Sequence, residues 1–383
     1  MYFDLRPKNN LKDLYDFEQP FAQLMGLLRD RRARAPLIMV TGLRRTGKTS
    51  LIKTCLAESG LPYLSINGHA FAEEPTIGKR SLMVHLEREL NSVIQEQGGW
   101  REKILGILRG IRWLRVNSEF PWIHFEWGKA IEDFDVLDLL YSFNRLAEES
   151  GTKALLVIDE AQEFRKLKRY SLQKLMAFAY DELDHIQMIV SGSQFGLLRD
   201  FLGANDPTSP LYGRGALEIR VPRLPEDRAV DFLQKGFQQV GIRPDPAAVE
   251  SAVRRLDGII GWLTFFGAVS AELGTCSEKV LEETMERGSR LSLKEFQNFL
   301  RLRPGAEKRY VYIMEAAARL GKASWTDLKR NLEVKEHKAV ADKVFTNLLE
   351  NLLNSEYLRK NEDGTYSLPD PMLAHALTRA RKH

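Results

Sequence analysis

Residues 42–49 read Gly42-Leu43-Arg44-Arg45-Thr46-Gly47-Lys48-Thr49, the pattern G-x4-G-K-T. It restricts the fold sharply, because such a run works only as a turn between a buried strand and a helix. Gly42 and Gly47 let the backbone curl so that successive N–H groups face a phosphate. Lys48 reaches the β/γ oxygens as a compact charge. Thr49 offers a hydroxyl to Mg2+. Residues 37–40 are apolar and 48–58 have helical character, so the positive end of a helix would face the phosphates. The candidate nucleotide-binding set runs from Gly42 through Thr49 and includes Ser50. The alternative is a glycine-rich turn beside a Lys-capped helix.

The stretch 154–160 is an apolar strand that ends in two carboxylates, Asp159 and Glu160. Beside a phosphate loop, Asp159 would hold Mg2+ together with Thr49, and Glu160 would orient the attacking water. A plain strand exit into a loop is the competing reading. The next strand ends in Ser191-Gly192-Ser193. Ser193 or Ser191 could touch the γ-phosphate or the water, or could cap a helix starting near Phe195. Arg214, in Ser209-Pro210-Leu211-Tyr212-Gly213-Arg214, could neutralise transition-state charge in its own or a neighbouring subunit, or pair with an acid at the surface. The candidate catalytic set is Glu160, Lys48, Arg214 and Ser193; the candidate metal ligands are Thr49 and Asp159.

Short apolar runs at 36–40, 61–66, 154–158, 186–190 and 217–221 alternate with helical stretches. Strands buried on both faces read this way, so a parallel, three-layer α/β sheet is expected. From Pro225 the pattern turns helical, at 226–240, 245–256, 260–273 and 277–302. Arg303-Pro304-Gly305 then breaks it. The last 80 residues read as three helices, 310–320, 325–332 and 339–354, followed by two strands, 357–360 and 365–368. The expected units are an N-terminal segment 1–34, an α/β domain 35–224 built around the phosphate loop, a helical region 225–303 and a terminal unit 304–383.

Composition excludes several classes. A chain of 383 residues, 44% hydrophobic and 28% charged, is neither disordered nor low-complexity. No apolar run approaches a membrane span. The N-terminus lacks a signal-peptide pattern. Cys55 and Cys276 carry no metal or disulfide spacing and fit a reducing cytoplasm. The net charge is +4. Residues 301–383 hold 16 basic and 11 acidic residues, against 40 and 41 before them. The excess hints at an anionic partner for the tail, or is a solvated surface.

Together these motifs resemble one family, the archaeal-type P-loop ATPases. It lies on the AAA+ side of the NTPases, near the signal-transduction (STAND) ATPases and the origin-recognition initiators. The residues that carry the likeness are the phosphate loop with its double arginine, Asp159-Glu160-Ala161-Gln162, Ser191-Gly192-Ser193, the run ending in Arg214, and Leu368-Pro369-Asp370-Pro371. The resemblance implies an ASCE-type P-loop NTPase sheet in the order 5-1-4-3-2, a helical lid and a C-terminal winged helix. It makes Arg214 an arginine-finger candidate and places Asp16-Phe17-Glu18 over the adenine. Phe17 stands where the family commonly has arginine. The lid run Gly258-Ile259-Ile260-Gly261-Trp262 lacks the usual proline, and Arg223-Leu224-Pro225 replaces the common Pro-Leu.

A hairpin insertion is expected near 111–127. Its aromatics beside arginines could stack bases, or form a small sheet on the core. The winged helix would present 339–354, with Lys338 and Lys343, and a wing with Arg359 and Lys360, to DNA or to a protein client. The expected function is Mg2+-dependent binding and hydrolysis of ATP to ADP, linked to conformational change. The alternative is a slow-turnover, nucleotide-gated switch or DNA-binding adaptor.

Overall fold

The computed structural model describes residues 1–30, 37–117, 123–125, 135–168, 170–203 and 206–379. Five parallel strands form the central sheet: β1 (Leu37–Thr41), β2 (Tyr63–Asn67), β5 (Ala154–Asp159), β6 (Ile186–Ser191) and β7 (Ala216–Arg220). Strands β1, β5 and β6 are buried along their whole length, as their predominantly apolar runs require. Strand β7 is an edge, and most of its residues are exposed. The expected label order 5-1-4-3-2 is corrected to β7-β1-β6-β5-β2. The insertion contributes two strands of its own outside the sheet, β3 (Leu114–Val116) and β4 (Ile123–Phe125), and these shift the count.

That order puts β6 between β1 and β5. The carboxyl ends of three neighbouring strands therefore converge: the phosphate loop after β1, the acids after β5, and the serines after β6. Helix α1 (Glu18–Arg29) and helix α2 (Lys48–Ser59) pack together on one side of the sheet.

Between β2 and β5 lie α3 (Lys79–Glu96), α4 (Arg101–Leu108), the β3–β4 hairpin and α5 (Val136–Glu149). Asn91 of α3 clips the hairpin in both directions. Its amide donates to Ile123 O at 3.0 Å and its oxygen accepts Ile123 N–H at 2.8 Å. Trp113 is buried and donates to Asp138 at 2.8 Å, so it is core and not a base-stacking surface. Within the expected hairpin 111–127, residues 118–122 and 126–127 lie outside the described residues.

Helix α6 (Leu172–Glu182) precedes β6, and α7 (Phe195–Phe201) follows it. Four helices succeed β7: α8 (Glu226–Val240), α9 (Pro246–Leu256), α10 (Ile260–Leu273) and α11 (Glu278–Arg301). Pro225 stands at the N-cap of α8, one residue before the expected first turn, and Glu226 and Asp227 meet the positive helix end. These helices enclose their own apolar cluster, with Phe3 of the N-terminal segment packed inside it.

Helices α12 (Glu307–Leu320), α13 (Trp325–Glu336) and α14 (Asp342–Asn354), with strands β8 (Arg359–Lys360) and β9 (Tyr366–Ser367), make the winged helix. Ser324 caps α13 in a reciprocal box with Asp327. A closing helix α15 (Pro371–Arg379) packs on α11 and α12. No described helix is long and apolar enough to cross a membrane.

Candidate nucleotide site

The loop between β1 and α2 uses three left-handed or strained positions: Gly42 (φ +148°), Arg45 (φ +65°) and Gly47 (φ +95°). A side chain at Gly42 would place its Cβ 2.5 Å from Val221 O. At Gly47 the Cβ would lie 2.6 Å from Cζ of Phe17. The Phe17 ring, buried, thus closes on the loop from the N-terminal segment. Asp16, Phe17, Thr46, Val221 and Ile260 line one cleft, on the side where adenine is expected. Ser50 faces the same segment and accepts Lys8 N–H at 3.1 Å.

Lys48 is buried, and its ammonium donates to Gly42 O at 2.8 Å and Leu43 O at 2.9 Å. Burial lowers its pKa, while Glu160, Glu356 and Asp159 act to keep it charged. Thr49 Oγ1 donates to Asp159 Oδ2 at 2.8 Å. The hydroxyl of Ser191 holds the other Asp159 oxygen. Burial and the neighbouring Glu160 charge raise the Asp159 pKa, against the hydrogen bonds from Ser191 and Thr49. Hydroxyl and carboxylate are hard oxygen donors, the type Mg2+ takes from proteins.

Glu160 takes a left-handed conformation, φ +50°, which turns its carboxylate toward β6. There Ser193 Oγ donates to Glu160 Oε2 at 2.8 Å and Ser193 N–H at 3.2 Å. Gln162 donates to the same oxygen. Burial pushes the acid up, yet Lys48, Gln162, Ser193 and Arg44 outweigh it and hold Glu160 below the usual range. Ser193 therefore does not cap α7, whose N-cap is Gln194 without a side-chain bond.

Arg214 lies apart from this cluster. Its Nε donates to Asp181 Oδ1 at 3.0 Å, and its other nitrogens reach Asp181 and the Pro210 carbonyl. The structure thus pairs it with a surface acid in its own chain.

Several contributors escape sequence reading because they arrive from far along the chain. Glu295 of α11 binds Arg44 at 2.9 Å and also binds Arg45. Arg45 sits over Trp262 at 4.2 Å, and Arg44 over Tyr357 at 5.3 Å. Gly261 N–H donates to Arg45 O at 2.9 Å. Burial works against charge on Arg44, but Tyr357, Glu295 and Glu160 raise its pKa. Asp370, in the quoted Leu368-Pro369-Asp370-Pro371, accepts from Trp262 Nε1 at 3.0 Å and Ser292 at 2.6 Å. The double arginine and that Pro-Asp-Pro run were visible signals; their partners were not.

Residues 21–264 match the family described as an ATPase domain predominantly from Archaea. Residues 304–368 match the C-terminal winged helix-turn-helix domain of MCM proteins. No curated protein sequence matches the chain. Among solved structures, the chain is similar to the Walker-type ATPase PABY2304 of Pyrococcus abyssi. The identity is 31% over 98% of this chain and 99% of that one, with a TM-score of 0.80. It shares its fold with the Aeropyrum pernix ORC2 protein in its ADPNP–ADP complexes. There the identity is 13%, over 100% of this chain and 98% of that one, with a TM-score of 0.60. With the phosphate loop and both acids inside the matched region, the chain belongs to the ATPase family found predominantly in Archaea and is a P-loop ATPase.

Proposed function

We propose that this ATPase hydrolyses ATP with Mg2+ and links the reaction to movement of its C-terminal helices. The observation that carries this reading is the Thr49–Asp159 bond at 2.8 Å, formed beside a Glu160 that Ser193 holds at 2.8 Å. When bound, Mg2+ would supply Lewis-acid stabilisation of the charge that develops on the phosphates. The loop N–H groups and Lys48 hold the phosphates, and Thr49 and Asp159 supply oxygens to the metal. Glu160 stays ionised and aligns the attacking water through its carboxylate, with Ser193 and Gln162 fixing its orientation. Adenine would lie in the Phe17 cleft. That the related fold of A. pernix ORC2 holds ADPNP and ADP supports an adenine nucleotide.

In this reading 35–224 is the ATPase domain, 225–303 the lid and 304–383 the winged helix. Arg214, paired with Asp181, remains the arginine-finger candidate for its own or a neighbouring copy's nucleotide. The winged-helix match and the exposed Arg359 and Lys360 of β8 support DNA as a partner, with a protein client as the other candidate. The test is phosphate release by wild type, Lys48→Ala and Glu160→Gln. Glu160→Gln should bind ATP without turning it over, and Lys48→Ala should not bind it. Equal rates in all three overturn the proposal.

A second reading, a slow-turnover switch, draws on the ties that Glu295 makes to both loop arginines. Tightly retained ADP with negligible phosphate release would favour it.

A further inference from the structure

Glu356 lies in the turn between α14 and β8 with φ +56°, a strained conformation for glutamate. It reaches out of the winged helix to the ATPase sheet. Its Oε1 accepts Phe195 N–H at 3.2 Å, two residues beyond the Ser193 that holds Glu160. Its Oε2 is buried with no hydrogen-bond partner among the described residues. It shares a cleft with Leu43, Arg44 and Arg45. That cleft differs from the Phe17 cleft on the adenine side. Burial pushes its carboxyl up to about 7, against the pull of the Phe195 N–H, Lys48 and Arg44, and Glu160 adds to the rise.

A half-paired buried acid destabilises its surroundings, so other contacts must hold the winged helix in place. They are on view. Asp370 binds Trp262 and Ser292, Tyr357 donates to Glu295 O at 3.1 Å, and Asn354 packs on Gly196. These contacts deliver Glu356 to the end of the phosphate loop away from the base. This step rests on the reading that the phosphates lie along that loop, with Lys48 at their β/γ end.

We propose that Glu356 determines how the site discriminates a nucleoside diphosphate from a triphosphate. The docked winged helix sets its carboxylate where the third phosphate would come. Two anions then compete for the field of Lys48 and Arg44, and a triphosphate and the docked winged helix disfavour each other. A diphosphate stops short of this carboxylate and is tolerated.

Calorimetry on the full chain, at about pH 8 where Glu356 is ionised, tests this with ADP and a non-hydrolysable ATP analogue. Glu356→Gln removes the charge and keeps an acceptor for Phe195. Gly196→Ala acts from a distance, because the new Cβ would lie 2.6 Å from the Asn354 Cα, a backbone clash that should push the winged helix off. Each variant is expected to bind the ATP analogue about tenfold more tightly, with ADP changed by less than about twofold. Unchanged selectivity in Glu356→Gln overturns the proposal. A shift in Glu356→Gln without one in Gly196→Ala overturns its link to docking. Wild type binding neither nucleotide would remove the phosphate-site reading itself. Wild type binding both, with no change of preference in the variants, removes only the role of Glu356.

Discussion

Arg44 of the phosphate loop and Glu295 of α11 are joined at 2.9 Å, so the loop and the helical layer above it form one mechanical unit. Arg45 converges on the same carboxylate. Burial would raise the Glu295 pKa, but Arg45 and Arg44 outweigh it and keep the acid below the usual range. Glu295→Ala leaves two guanidinium groups facing each other without their anion. Because all three side chains are about a quarter to a third exposed, solvent softens the penalty. We expect a loss of about 1–2 kcal/mol in denaturant unfolding, with Glu295→Gln milder. Unchanged midpoints in both variants would count against this coupling.

The hydroxyl of Ser193 donates to Glu160 at 2.8 Å and so positions its carboxylate. Ser193→Ala should lower kcat by about tenfold with KM nearly constant, the pattern of a group that aligns a catalytic base. Glu160→Gln should cost about 10²–10⁴ in kcat. Steady-state phosphate release at saturating ATP separates the two.

Stability should depend on pH through Glu356. Its ordinary pKa of 4.5 rises to about 7 in the folded chain. Below the lower value both states hold the proton and nothing is lost. Between the two values the unfolded chain ionises while the folded one stays protonated, so stability falls as pH rises. Above about 7 the folded chain carries the buried charge, and the full cost is about 3 kcal/mol. Glu356→Gln should flatten the slope between about pH 4.5 and 7, as read from unfolding midpoints at each pH.

Gly47 has both a positive φ of +95° and the ring of Phe17 where a Cβ would go. Gly47→Ala should therefore abolish nucleotide binding and destabilise the fold by about 1–3 kcal/mol. Phe17→Ala removes a buried ring and should cost about 3–5 kcal/mol while opening the adenine-side cleft. A fluorescent nucleotide titration distinguishes a lost loop from a widened cleft. Phe17→Ala should retain phosphate-dependent binding that Gly47→Ala lacks.

If the wing meets DNA, Arg359→Glu and Lys360→Glu should each weaken binding across sequences and reduce the salt slope by about one. A filter-binding series over several salt concentrations measures this. Unaltered slopes would exclude β8 from the contact.

Much of the site could be read from sequence, because its chemistry sits on short contiguous runs. The G-x4-G-K-T loop, Asp159-Glu160 and Ser191-Gly192-Ser193 each mark a strand end, and parallel strand ends meet on one edge of a sheet. The helices at 226–240 and 260–273 were equally plain, since their apolar spacing and caps are local. What escaped was non-local. Nothing near Glu295, Glu356 or Tyr357 in sequence announces an arginine some 250 to 310 positions earlier. The partner of Arg214 was hidden for the same reason: Asp181, which pairs with it, stands 33 positions earlier on α6. In the insertion the alternating pattern left two readings open, and Trp113 takes the one of a small sheet on the core, with Asn91 tying the hairpin to α3.

The close approach of Asn354 to Gly196 carries one last consequence. The C-terminal end of α14 is shielded by α7, so a partner gripping that helix along its whole length has to pry it free. Work done by such a partner is returned at the opposite pole: by thermodynamic reciprocity, whatever loosens the helix from the ATPase alters nucleotide retention by the same factor that nucleotide alters the partner's hold. Cargo on the tail would thereby strengthen the grip on a triphosphate beneath it.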